Sequence, residues 1–277
     1  MLATGQDRTL IKKYNNKIAI VTGAGSGIGK NIAIELSKYG CNLVLVDICD
    51  EALNETIMML DSQIKFWKYV VDVSKLQEIK ALKNSLDGIN VKPSLIFNIA
   101  GIAHGGFFWE VSEDSIDKVI ETNFLSQAYI IRVFLDDLMC KEDAHIMNMS
   151  SGLGLFELKK QSLYVASKNA VKGFSHALYY ELKHTGVRVT VSYPGAVSTN
   201  IVKNSIPPIG HEKGEGTYES IAKGLDAKKV ATVIIKGVAK NKRDIIIGQD
   251  TRMAIVLKKL FPKTYVDKLH RIVDMEQ

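Results

Sequence analysis

The chain has 277 residues, of which 46% are hydrophobic and 24% charged; this suits one large α/β domain and argues against wholesale disorder. No apolar run approaches the ~20 residues needed to cross a bilayer. The net charge of +6 lies in residues 226–277, where 12 Lys and Arg face 6 Asp and Glu, while the other 225 residues carry 24 of each.

That basic segment reads first as a solvated face, and second as a surface for an anionic membrane or partner. Nucleic acid fits poorly, because the cations are not interleaved with aromatics and no reading motif accompanies them. Cys41, Cys49 and Cys140 form no CxxC pair and no metal-ligand spacing, so they read as reduced, mostly buried thiols of a cytoplasmic protein with no metal site.

Residues 1–16 lack the apolar core of a secretory signal and read as a flexible lead-in. Seven β-rich runs follow, at 18–22, 42–46, 66–71, 95–98, 145–149, 187–192 and 244–247. Nearly all are apolar rather than alternating, as expected of strands covered on both faces. Amphipathic stretches at 29–39, 74–86, 114–140 and 162–184 lie between them. This alternation predicts α/β architecture, a Rossmann-type, doubly wound parallel sheet of about seven strands in a single domain spanning 17–250. Residues 196–225 contain prolines, glycines and scattered apolar residues without a period, and are read as a lid. Residues 251–277 read as a basic helical extension, whose apolar positions are expected to pack on the domain or a second subunit rather than on a membrane.

The first strand runs into TGAGSGIG (22–29) and then a helix pattern. Glycines there let the backbone turn and approach a pyrophosphate at a helix N-terminus. Asp47 ends the second strand, 18 residues beyond Gly29. Its carboxylate can accept hydrogen bonds from both ribose hydroxyls of NAD and would repel the 2′-phosphate of NADP. Ile48 and Cys49 follow it, with no cation, so NAD is favoured over NADP.

Tyr164 and Lys168 stand four apart at the start of a predicted helix, which puts both on one face. Lowering a tyrosine pKa from about 10 to about 7 takes roughly 4 kcal/mol. One ammonium ~4 Å away supplies about 1 kcal/mol in water and about 4 at an effective dielectric near 20, so the pair works as an acid/base only when shielded from solvent. Ser151 ends the strand HIMNMSS at the edge where open α/β sheets bind ligands, and Asn123 lies within a long helical stretch.

In order and at compatible spacing, TGAGSGIG (22–29), Asp47, DV (72–73), NIAG (98–101), Asn123, SS (150–151), YVASK (164–168) and PGAVST (194–199) resemble the short-chain dehydrogenase/reductase family, in its single-domain branch. The resemblance implies that Tyr164 exchanges the substrate proton, that Ser151 hydrogen-bonds the substrate oxygen, and that Lys168 lowers the tyrosine pKa and holds the nicotinamide ribose. It implies that Asn123 supports a water linking Lys168 to solvent. Ser150 is the competing serine, and the thirteen-residue offset from the tyrosine favours Ser151. Cofactor contacts carried over are Thr22, Gly23, Ser26, Gly27, Ile28 and Gly29 in the loop, Asp72 and Val73 at the adenine, and Asn98, Ala100 and Gly101 in the cleft. Pro194, Gly195, Val197 and Thr199 would hold the carboxamide or pyrophosphate. Ile99 departs from the family, which more often has a second Asn there.

The resemblance implies hydride transfer between nicotinamide and a secondary alcohol or ketone, in a homodimer or homotetramer. Residues 152–157, 104–109 and 201–209 are the expected substrate walls; they are mainly apolar and point to a hydrophobic substrate. Glu157 and His104 read as solvated loop positions. The alternatives are a catalytically silent NAD-binding sensor, an NADP-dependent ketone reductase, and an epimerase or dehydratase sharing the Tyr/Lys pair.

Overall fold

Apolar, β-branched runs become strands that are buried on both faces, and in this chain they set the architecture. The computed structural model describes residues 5–199, 205–207, 209 and 224–262. Its strands are β1 (Ile18–Thr22), β2 (Asn42–Asp47), β3 (Phe66–Val70), β4 (Leu95–Asn98), β5 (Ala144–Met149), β6 (Val187–Pro194), β7 (Val197–Ser198), β8 (Leu225–Asp226) and β9 (Asp244–Ile247). Seven of them form one parallel sheet in the order β3-β2-β1-β4-β5-β6-β9, and β7 pairs with β8 apart from it. The order reverses at β1, so the carboxyl ends of β1 and β4 open a crevice at the topological switch point.

The helices are α1 (Gly5–Tyr14), α2 (Gly27–Ser37), α3 (Asp50–Ile57), α4 (Leu76–Gly88), α5 (Glu113–Ile120), α6 (Ser126–Met139), α7 (Ser162–Glu181), α8 (Ala227–Ala239) and α9 (Gln249–Leu260). On one face of the sheet, Ile32 and Leu36 of α2 and Ile234 and Val238 of α8 pack on Val21, Leu45 and Phe97. On the other, Leu82 of α4, Phe134 of α6 and Leu178 of α7 pack on Ile20, Val44, Ile96 and Ile146. The two-sided burial accounts for the missing polar alternation in the central strands. Edge strand β3 is the exception, with residues alternating between exposed and half-buried.

Several expectations need correction. The segment read as a flexible lead-in forms α1: Leu10 and Tyr14 are buried, and the Tyr14 hydroxyl donates to the Ile235 carbonyl at 2.7 Å. The continuous helix expected over 114–140 breaks into α5, one turn of π-helix (Glu121–Leu125) and α6. Helix α3 forms where the sequence pattern was not read as helical. Of the three thiols only Cys41 is buried; Cys49 and Cys140 are exposed. Most of the predicted lid and residues 263–277 of the C-terminal extension lie outside the described residues. Among the described residues, no helix is long and apolar enough to cross a membrane.

Candidate active site

Strand β1 ends at Thr22 and the chain turns at once into α2, with Gly23 at φ +65, a backbone conformation that glycine adopts at least cost. Gly29 packs against this turn so closely that a Cβ would come to 2.1 Å from the Gly23 carbonyl oxygen. Ser26 caps α2 by its extended backbone alone; its side chain makes no capping bond and lies on the wall of the crevice. The N-terminus of α2 faces the crevice through Ser26, Gly27 and Ile28, the arrangement that receives a phosphate.

Asp47, at the end of β2, is aimed by two backbone donors. Gly25 N–H donates to one carboxylate oxygen at 2.8 Å and Cys49 N–H to the other at 3.1 Å. Asp47 lines the crevice beside Ile48 and Cys49. Asp72 and Val73 line the next stretch of wall, along with Lys75 and Glu121, which form an ion pair at 3.2 Å. Two hydroxyl-bearing ribose positions or an adenine fit this set; the crevice has room, with a volume of about 1240 Å³.

Tyr164 and Lys168 line the other end of the crevice. Tyr164 lies in the first turn of α7, and the Lys168 ammonium stands 5.5 Å from its ring centroid. Lys168 is 2% exposed, donates to the Met149 carbonyl at 3.3 Å, and forms no ion pair with a carboxylate among the described residues. Burial lowers its pKa to about 8, because the charged form loses water without gaining a counter-ion. The shielding that the charge arithmetic required is therefore present.

Ser151 lines the crevice, and its hydroxyl accepts from Leu153 N–H at 3.3 Å. Ser150 is 2% exposed and donates to the Lys168 carbonyl at 2.8 Å. Both serines line the crevice but differ in engagement: the Ser150 hydroxyl fastens α7 to the end of β5, while the Ser151 hydroxyl accepts from the nearby Leu153 N–H.

Three of the expected site residues stand behind the wall. Thr22 Oγ1 accepts from Ile99 N–H at 2.9 Å and Ala100 N–H at 3.1 Å, tying the end of β4 to β1. Asn98 is buried and donates to Asn148 Oδ1 at 2.9 Å. Asn123, fully buried in the π-helical turn, accepts from Ile102 N–H at 2.8 Å and donates to the Ile102 carbonyl at 3.0 Å and Ser167 Oγ at 3.1 Å. Its own carbonyl accepts from Gln127 Nε2 at 2.9 Å. Ala100 and Gly101 line the crevice, as do Gly23, Gly27, Ile28, Gly29, Pro194, Gly195, Val197 and Thr199. Ile99 lines it too, where the family's second Asn would stand.

Replacing Thr22 with Val leaves two backbone N–H groups without their acceptor. The expected cost is about 2 kcal/mol of stability, read as a lower midpoint in urea unfolding at unchanged slope; an unchanged midpoint would remove Thr22 from this role.

The substrate end is walled by Ala103, Leu153, Phe156, Leu158, Gln161 and Ile206. Glu157 is an exposed loop residue, as expected, whereas His104 is not. His104 is 1% exposed, with burial lowering its pKa, and forms a backbone bridge with Ile206. Glu157 is held by the Lys258 ammonium at 2.7 Å, which lowers its pKa. Ile201 and Val202 lie outside the described residues.

Sequence reasoning missed one wall. Gly248 follows β9 with φ +107, and Gly248, Gln249, Asp250 and Thr251 close the crevice at the start of α9. A glycine directly after an apolar strand at the carboxyl edge of the sheet was the available signal.

A doubly wound parallel sheet with a phosphate-ready loop at one end of its crevice and a shielded Tyr/Lys pair at the other defines a nucleotide-dependent oxidoreductase. A family model described as short chain dehydrogenase matches residues 17–209, and the chain belongs to that family, whose members use a nicotinamide cofactor. A putative oxidoreductase, SadH, from Mycobacterium tuberculosis is 28% identical over 268 residues, covering 92% of this chain and 94% of its own. Estradiol 17-beta-dehydrogenase 11 from Rattus norvegicus is 27% identical over 271 residues, covering 96% and 86%. Among solved structures, a short chain dehydrogenase/reductase from Burkholderia phymatum in complex with NAD superposes with a TM-score of 0.80 at 28% identity, covering 89% of this chain and 94% of that one.

Proposed function

We propose that the chain is an NAD-dependent oxidoreductase that interconverts a hydrophobic secondary alcohol and its ketone. The observation that carries this is one continuous crevice with Asp47 and the glycine loop at one end and Tyr164, Lys168 and Ser151 at the other. The loop suits a pyrophosphate because the N-terminus of α2 faces the crevice there, and Asp47 offers acceptors where a ribose would lie. Bound there, a nicotinamide would supply the two-electron acceptor or donor.

The chain's own groups manage the proton. Lys168, charged and desolvated, stabilises the tyrosinate form of Tyr164, which takes the alcohol proton in one direction and returns it in the other. Ser151 donates a hydrogen bond to the substrate oxygen as charge develops. The apolar walls Leu153, Phe156, Leu158 and Ile206 support a hydrophobic substrate, and the name of the rat relative points the same way. Asn123 acts by locking the 102 backbone and Ser167 beside Lys168.

Incubation with NAD and a panel of hydrophobic secondary alcohols, followed by the absorbance of reduced nicotinamide, tests the reaction class. No reduction with any alcohol, and no oxidation with the matching ketones, would favour a silent sensor. For the cofactor, fluorescence titration is expected to give NAD at least about tenfold tighter than NADP, since a like-charged 2′-phosphate beside Asp47 costs more than 1.4 kcal/mol. Asp47→Asn should narrow that gap. Tighter binding of NADP to the unaltered protein would sink the NAD assignment and leave the NADP-dependent reductase.

A further inference from the structure

Helix α9 leaves most of its large apolar side chains exposed. A globular domain packs the apolar stripe of a surface helix inward; here Ala254 and Ile255 are half-buried and the other inward contacts are polar. Thr251, 3% exposed, is the buried residue of α9, and Lys258 reaches the Glu157 carboxylate and the Leu155 carbonyl at 2.7 and 3.3 Å. Met253, Val256, Leu257 and Leu260, spaced as one helical face, are all exposed, as is Phe261 beyond them, and Met253 and Leu260 each exceed half exposure. The packing on the domain expected for this stripe does not occur among the described residues.

A second exposed apolar group lies on the same rim. The segment that Lys258 grips continues to Lys159 and Lys160, whose ammonium groups stand 5.5 and 4.8 Å from the Phe107 ring. Phe107 stacks on Trp109 at 4.4 Å, and Trp109 is 76% and Phe108 60% exposed. Between the two groups, Phe156 and Leu158 line the substrate end of the crevice. The exposed side chains therefore border the entrance to that crevice.

We propose that this rim docks on the surface of an anionic lipid bilayer, with α9 lying in the headgroup plane and Trp109 and Phe108 inserted beside it. Cations flank the apolar stripe: Arg252 and Lys259 are exposed on α9, and Lys159 and Lys160 stand beside the Phe107 ring. Of the nearby carboxylates, Glu157 is held by Lys258 and Glu110 accepts from the Phe107 N–H at 2.8 Å, while Asp250, Glu113 and Asp114 are exposed. Aromatic rings next to lysines, beside an amphipathic helix with a basic flank, match the chemistry of a charged interface. A second copy of the chain is the weaker occupant, because a twofold contact through this stripe brings like charges together.

Flotation with vesicles of phosphatidylcholine alone, or with phosphatidylglycerol added, tests the proposal on the full chain. Binding is expected on the anionic vesicles at low salt, weakening as salt rises and at least about tenfold weaker on phosphatidylcholine alone. Val256→Glu/Leu260→Glu and Lys259→Glu should each reduce binding about tenfold or more. These positions are exposed, so melting temperature and NAD titration should match those of the unaltered protein; the cofactor reading can thus fail or stand without affecting the result. Equal binding to both vesicle types, or variants that bind as the parent does, would overturn the proposal. So would a dimer that the double variant splits in the absence of any vesicle binding.

Discussion

Tyr164→Phe is expected to lower turnover by about 10³-fold or more while leaving the NAD dissociation constant within about twofold. Proton transfer from a positioned side chain is worth typically 10²–10⁴ in rate, and the substitution removes one oxygen at the reacting centre. The ring itself stays, so the packing of Lys168 over it at 5.5 Å and the wall of the crevice are retained. Asp47 and the glycine loop lie at the far end of the crevice and do not depend on the hydroxyl. The two readouts separate the roles: turnover follows reduced nicotinamide with an alcohol found in the panel, and affinity follows fluorescence titration. Ser151→Ala should cost less, about 10²-fold, because it removes a hydrogen bond to the substrate oxygen and not the proton carrier. Turnover retained in Tyr164→Phe would show that another group moves the proton.

The parts of the site that were legible are those fixed by local spacing. The glycine loop needs open backbone within eight residues, and Tyr164 and Lys168 need one helical turn; both requirements are written in the sequence itself. Thr22 and Asn98 were read as cofactor contacts, and Asn123 as the support of a water beside Lys168, because they fall in the right motifs. Each instead points into the protein and satisfies backbone or side-chain groups from a distant segment, such as the Ile99 and Ala100 amides at Thr22. Partners 77 residues away are invisible to a pattern of spacing. The sheet was legible because two-sided burial forces apolar runs, whereas α1 was not: its anchoring is tertiary, through Tyr14 to Ile235. Helix α9 was recognised as amphipathic, yet periodicity alone does not say which face turns inward. The inward face carries Thr251, Ala254, Ile255 and Lys258, and Lys258 reaches Glu157 from it.

Lys168→Met is expected to make the cofactor-free protein more stable and inactive at once. The folded pKa of Lys168, about 8, lies below its ordinary 10.5 because of desolvation. A lysine shifted in this direction opposes folding in its charged form. The penalty is fully present below pH 8 and fades as pH rises toward 10.5, where the unfolded chain also loses the proton. At 1.36 kcal/mol per unit it is about 3 kcal/mol; loss of the hydrogen bond to Met149 returns roughly 1 of these. Methionine has nearly the same length and no charge, so a gain of about 2 kcal/mol is expected at pH 7 in urea unfolding, shrinking between pH 8 and 10. Turnover should fall about 10³-fold or more, because Tyr164 then loses the neighbouring positive charge that favours its tyrosinate form. A gain independent of pH, or none, would mean that Lys168 is neutral or solvated in the free protein and that the site is not built around a desolvated charge. Opposite signs for stability and activity in one substitution would mean that folding tolerates an uncompensated ammonium at the base of the crevice because the reaction requires it there.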